Sequence, residues 1–282
     1  MTSAHLSPSD PVEDTPPRLS TRSLSGGYAR RPVLHSVDVH VPDGGFTVIV
    51  GPNACGKSTL LRSLARMLPV REGQVVLDGR PITDYRTKEV ARRLAVLPQS
   101  PTAPEGITVG DLVSRGRYPH QGLFRQWSAD DRRAVDAALR ATGTDGLADR
   151  PVSDLSGGQR QKVWIATALA QDTPILLLDE PTTFLDIAHQ IEVLTLARSL
   201  HREGTTVVMV LHELALAFRY ATHLIVMKEG RVVAQGPVAD VVTEDLVREV
   251  YDLPCRIIPD PVSGRPIVVP LDPDDADDPD GP

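Results

Sequence analysis

The chain has 282 residues, 41% of them hydrophobic and 24% charged, with a formal net charge of −7. This is the composition of a globular domain rather than a disordered chain, and no apolar run approaches the roughly 18–20 residues that a bilayer crossing needs. Six aspartates in the last eleven residues carry all but one of the net negative charges, which leaves no basic excess for nucleic acid, and two cysteines make neither a disulfide framework nor a metal cluster.

Residues 1–16, rich in Ser, Pro and Asp, read as a disordered arm. The arm lacks the basic and apolar regions of a signal peptide, which predicts a cytoplasmic protein. Residues 17–271 read as one folded unit and 272–282 as an acidic disordered tail. Inside the folded unit short apolar runs alternate with helical patterns, as in an α/β sheet. A Leu-Ser-Gly-Gly run at 24–27 precedes Tyr28 and a strand pattern. Val37, Val39 and Val41 alternate with polar residues like a half-buried strand, Pro42–Gly45 makes a turn, and Phe46–Val50 makes a buried strand. Leu60, Leu61, Leu64 and Leu68 recur at helical spacing; Gly73–Leu77 and Pro81-Ile82 suggest a hairpin across Asp78-Gly79. From about 105 to 168 the pattern is mostly helical, an inserted α-helical subdomain. Two strand–helix units follow, ILLLDE into 187–202 and TTVVMVLHE into 214–220, before a hairpin that turns at Glu229-Gly230.

Gly51-Pro52-Asn53-Ala54-Cys55-Gly56-Lys57-Ser58, followed by Thr59, fits the phosphate-loop pattern G-x-x-x-x-G-K-[ST] in its required place between strand and helix. Loop N–H groups and the helix N-terminus would face a β-phosphate, Lys57 would neutralise the β/γ oxygens, and Ser58 would ligate Mg²⁺. Four apolar residues deliver Asp179 and Glu180 at another strand end, Asp179 to orient the Mg²⁺ shell and Glu180 to polarise an attacking water. A second Leu-Ser-Gly-Gly, at 155–158, precedes a run in which Val163, Ala166 and Leu169 share a helix face. Ser156, Gly157, Gly158 and Gln159 therefore open a helix and form an anion site.

GPNACGKST, LPQ, LSGGQRQ, LLLDEPTTFLD and the His of VLHE, in that order, resemble the ATP-binding cassette (ABC) family over about residues 19–271. The resemblance implies a P-loop NTPase core, a RecA-like sheet with flanking helices and an antiparallel β subdomain, that hydrolyses ATP with Mg²⁺. It implies that Gln99 reaches the Mg²⁺ and the attacking water and that His212 holds that water on Glu180. Tyr28 would stack on adenine, Asp186 would lie between two cassettes, and Ser156–Gln159 would complete the γ-phosphate pocket of a second copy. Residues 115–127 and the TTFLDIAHQ run are similar to ferric-siderophore import ATPases of the ferric-enterobactin type, a group with haem and cobalamin relatives. The alternatives are a haem or cobalamin importer ATPase, or a non-transport soluble ABC ATPase. The implied partners are integral membrane permease subunits, docked on Arg115, Arg117, Tyr118, Phe124 and Trp127, and indirectly a substrate-binding protein. That places the chain peripherally on the cytoplasmic face of the membrane. Two departures stand out. Ala54 occupies a position where most relatives carry glycine, so a positive φ there would come at some cost, and Glu213 stands where the siderophore-type relatives more often have Asp beside the His. Cys55 lies by the phosphates, where a stabilised thiolate would be open to oxidation.

Overall fold

The computed structural model describes residues 17–28, 31–122 and 127–272. Residues 1–16, the tail beyond Asp272 and Phe124 lie outside the described residues.

The first layer is antiparallel. Strand β1 (Leu19–Tyr28) pairs with β2 (Arg31–Val37), β3 (His40–Val41) and, on its other side, β5 (Val70–Leu77), which pairs with β6 (Arg80–Pro81). The first Leu-Ser-Gly-Gly lies inside β1 rather than ahead of a strand, and its register against β2 shifts at Leu24/Gly26 and Gly26/Gly27. Ile82 does not extend the hairpin. It turns into the core at 1% exposure and starts a single 3₁₀ turn, Ile82–Asp84.

The second layer is the main sheet. β4 (Phe46–Val50), β8 (Ile175–Asp179) and β9 (Thr206–Val210) are buried at every residue, as strands covered on both faces must be. With β7 (Leu94–Leu97), β10 (His223–Lys228) and β11 (Arg231–Pro237) they form a sheet ordered β11-β10-β4-β9-β8-β7, parallel except for β11. Alternate side chains divide between two cores, as the strand period of two dictates. Val48, Leu176, Leu178, Val207 and Met209 face one core with α6 (Ile187–Arg202) and α7 (Leu214–Tyr220). Ile49, Ile175, Leu177, Val208 and Val210 face the other, with α1 (Lys57–Leu64) and the antiparallel sheet. The helical pattern predicted through Leu68 stops at Leu64, because Arg66 takes φ +58 and cannot continue a right-handed turn.

After the short α2 (Thr87–Ala91) and β7, the chain forms α3 (Val109–Ser114), a 3₁₀ stretch over Arg115–His120, α4 (Ala129–Ala141) and α5 (Gly157–Leu169) before β8. Val109, Leu112, Val135, Leu139 and Val163 give these helices their own core. One expected surface anchor belongs to that interior. The Arg117 guanidinium donates to Asp131 Oδ1 at 2.9 Å and to the Ala170 carbonyl at 2.8 Å, with 6% of the side chain exposed. It ties the 3₁₀ stretch to α4 and to the end of α5, so it is unavailable to a partner. Tyr118 and Trp127, at 57% and 40% exposure, are on the surface, as is Arg115. A final helix, Glu244–Tyr251, and a hairpin of Cys255–Pro259 with Pro266–Pro270 close the described chain.

Candidate functional site

Five parallel strands end on one edge of the sheet, and each delivers a predicted residue or its neighbour there. Gly51 follows β4, Gln99 follows β7, Glu180 follows β8, His212 follows β9 and Glu229-Gly230 follow β10. Ligands of open α/β sheets bind outside these carboxyl ends. A cleft of about 610 Å³ opens there. Its lining includes Tyr28, Asn53, Ala54, Gly56, Lys57, Ser58, Thr59, Gln99, Glu180 and His212. Pro52 and Cys55 lie on the loop's other side, along a cavity of about 320 Å³.

The loop's shape follows from its glycines. At Gly51, φ is +150, and a Cβ would sit 2.1 Å from the Met227 carbonyl oxygen, so only glycine fits. Ala54 takes φ +61, the strained left-handed angle expected of it. The Cys55 carbonyl accepts from Gly230 N–H at 2.9 Å, and the Gly230 carbonyl accepts from His35 N–H at 2.9 Å. The loop is thereby strapped to the β10–β11 turn and the antiparallel sheet. Lys57, 4% exposed, donates to the carbonyls of Gly51 and Pro52 at 2.8 and 2.9 Å. Its ammonium thus stands at the α1 N-terminus, where phosphate oxygens would compete for it.

Asp179 is fully buried, and neither carboxylate oxygen accepts a hydrogen bond. Burial pushes its carboxyl up, opposed by the Ser58 hydroxyl and then Arg62, whose Nε is 3.3 Å from Oδ2. A buried carboxylate that accepts no hydrogen bond, beside a serine hydroxyl and an arginine, fits a Mg²⁺ site, since Mg²⁺ takes one or two protein ligands plus phosphate oxygens. Arg62 also donates to the Tyr28 hydroxyl at 2.9 Å, with the Tyr28 ring 44% exposed at the cleft.

Glu180 adopts φ +53, which directs its carboxylate between two partners. Oε1 lies 2.7 Å from His212 Nε2, and Oε2 accepts from the Gln99 amide. The three residues that sequence reasoning assigned to the attacking water are therefore in contact. Cys55 does not behave as a stabilised thiolate: it is 4% exposed, and burial pushes its thiol up despite Lys57 nearby.

Ser156 caps α5. Its hydroxyl accepts from Gln159 N–H at 3.3 Å, and the Gln159 side chain accepts from Ser156 N–H at 3.2 Å. Asp186 caps α6 through His189 N–H at 3.0 Å. Neither Ser156–Gln159 nor Asp186 lines the phosphate-loop cleft of the same chain. Sequence reasoning missed Arg62, His35, Gly230 and His189. For Arg62 a signal exists: it stands four residues after Ser58, on the same helix face.

Residues 34–183 match the family model described as ABC transporter. The chain is 54% identical over 255 residues to the ferric enterobactin transport ATP-binding protein of Escherichia coli (strain K12), covering 90% of this chain and 94% of that protein. A solved inward-facing conformation of a putative metal-chelate type ABC transporter superposes with a TM-score of 0.77 at 28% identity, over 90% of this chain and 97% of that one. A dimeric bacterial ABC transporter cassette superposes with a TM-score of 0.69 at 27% identity, over 78% and 98%.

Proposed function

Because the chain belongs to the ABC transporter family, we propose that it is the ATP-hydrolysing subunit of a membrane importer for iron(III)–siderophore complexes, working as a pair of identical cassettes. One observation carries the hydrolytic part: Glu180 sits between His212 and Gln99 at the mouth of the cleft that Lys57 and Ser58 line. Tyr28 offers its ring to the adenine, and stacking of this kind accepts any base. Lys57 exchanges its loop carbonyls for β- and γ-phosphate oxygens. Mg²⁺, held by Ser58 and Asp179 with Gln99 nearby, supplies charge neutralisation at the phosphates when bound. Glu180 takes a proton from the attacking water, and His212 orients the carboxylate.

The separation of Ser156–Gln159 and Asp186 from the cleft supports two cassettes, each lending these segments to the other's nucleotide. The dimeric cassette of similar fold supports the same arrangement. Among the described residues no helix is long and apolar enough to cross a membrane. A permease therefore provides the channel, docked on exposed Arg115, Tyr118 and Trp127 beside a groove that Pro98, Arg115 and Trp164 line. The chain then works at the cytoplasmic face of the membrane. The siderophore cargo rests on the similarity to the enterobactin relative.

Two measurements test the reading. Glu180→Gln is expected to bind ATP, accumulate a dimer and lose turnover by at least about a hundredfold; ordinary hydrolysis would refute the role of Glu180. A strain lacking this chain should lose uptake of labelled ferric enterobactin and regain it with the wild-type chain but not with Tyr118→Ala. Uptake that persists without the chain, alongside lost haem or cobalamin uptake, would reassign the cargo.

A further inference from the structure

The two glycines of the second Leu-Ser-Gly-Gly meet different surroundings. A Cβ on Gly157 would find nothing within 4 Å. A Cβ on Gly158 would sit 2.4 Å from Cδ2 and 2.8 Å from Nε2 of His189, a residue 31 positions away in the first turn of α6. The imidazole is tied to α6's own cap, with its Nδ1 2.8 Å from both oxygens of Asp186 and its backbone N–H donating to the same carboxylate at 3.0 Å. One helical turn further along both helices, Lys162 and Glu192 form an ion pair at 2.6 Å. On the other flank of the α6 start, Gln190 donates to Glu213, next to His212, at 3.3 Å.

We infer that His189 is a positioning residue that locks the Ser156–Gln159 segment to the Asp186 segment of the same chain, so that both are presented to a second cassette as one rigid surface. This rests on the two-cassette reading above. Gly157 is then small for the partner's phosphate, whereas Gly158 is small for His189. The first turn of α6 becomes the junction at which the Ser156–Gln159 segment, Asp186 and the His212 loop are held in register. The geometry explains why the pocket-completing segment is preformed in a single chain. Its serine cap fixes the helix start, and the Asp186-pinned ring covers Gly158 from above. Loss of the ring would free the two segments to move separately, so that closing them on ATP would carry an added ordering cost.

The test uses the full chain in its Glu180→Gln form. ATP-driven dimerisation is read by light scattering, and nucleotide binding to the single subunit by a fluorescent ATP analogue. Adding His189→Ala is expected to weaken dimerisation about tenfold and leave subunit affinity within about twofold. His189→Asn, which keeps a donor near the imidazole Nδ1 position for Asp186 but lacks the Cδ2 and Nε2 that cover Gly158, should weaken dimerisation nearly as much as His189→Ala; full dimerisation in the Asn variant would overturn the role of the ring. Gly158→Ala should weaken dimerisation and lower the melting temperature, because its methyl meets the pinned ring. In the Gly158→Ala/His189→Ala double variant the combined loss should fall short of the product of the single losses by about tenfold. Wild-type dimerisation in His189→Ala, or a double variant whose losses simply multiply, would overturn the inference. A parent form that fails to dimerise with ATP would refute the two-cassette reading instead. The melting temperatures of the four monomers then decide the contact alone: non-additive shifts support it and additive shifts overturn it.

Discussion

Arg117→Met separates a structural arginine from a docking one. The substitution keeps the aliphatic stem and removes the guanidinium from a pair whose side chains are 6% and 5% exposed. Asp131 is left without its counter-ion, and the Ala170 carbonyl without a donor. Breaking a buried pair from one side costs about 3–5 kcal/mol. The lower end applies, because Ser128 still donates to Asp131 Oδ2 through its hydroxyl at 2.7 Å and its N–H at 3.0 Å. For a domain of this size about 3 kcal/mol corresponds to a melting temperature lowered by roughly 6–12 °C. The pH must be chosen with the sign in view. The Ser128 hydroxyl above all, then the Ser128 N–H and Arg117, hold the Asp131 carboxyl at about 2, against the upward push of burial. A depressed carboxyl stabilises the fold above its unfolded pKa near 4, and the contribution disappears as pH falls through about 2. Melts by calorimetry at pH 7.5 therefore read the full effect, and the difference between parent and variant should shrink towards pH 2. A shift below about 2 °C at pH 7.5 would refute the buried-pair account. Tyr118→Ala is the control, since an exposed ring removed from the surface should change stability by less than about 0.5 kcal/mol.

Tyr28→Ala should weaken ATP binding by about 1–3 kcal/mol and GTP binding equally, with Tyr28→Trp retaining affinity; nucleotide titration checks both, and an unchanged Ala variant would remove Tyr28 from the site. Ala54→Gly relieves about 1–2 kcal/mol of left-handed strain and adds about 0.5–1 kcal/mol of backbone entropy cost, so denaturant unfolding should place it between unchanged and about 1.5 kcal/mol more stable than the parent. The raised, buried thiol of Cys55 should react with iodoacetamide far more slowly in the folded chain than in denaturant, and peroxide should leave ATP turnover unchanged. Rapid labelling of the native chain at neutral pH would contradict that environment.

Much of the site was legible because its requirements are local. A phosphate loop needs glycines where φ is positive and a lysine and serine at the following helix start, and Gly51–Ser58 meets those needs within eight consecutive residues. Asp179 and Glu180 were visible because a wholly apolar run such as Ile175–Leu178 must be a covered strand, and the charges after it must lie at the strand's end. The start of α5 was equally plain, since Ser156 and two glycines stand just ahead of a run with Val163, Ala166 and Leu169 on one helix face. Arg117 was misjudged because a 3₁₀ stretch of six residues is too short for its three-residue period to tell inner side chains from outer ones. Its partners lie 14 and 53 positions away.

The amino-acid sequence by itself determined which strands are covered, where the phosphate loop turns, where the helix after Ser156 starts and which groups stand ready at the strand ends. These follow from torsion angles, side-chain period and hydrogen bonds between near neighbours. Tertiary structure decided that Glu180 rests between Gln99 and His212, that Arg62 spans Tyr28 and Asp179, that Cys55 is shut away from solvent, and that His189 lies over Gly158. Each of those contacts joins segments from different strands or helices. Their distances are set by how the sheet orders its strands and how the helices pack on it, and no local pattern of residues encodes that order.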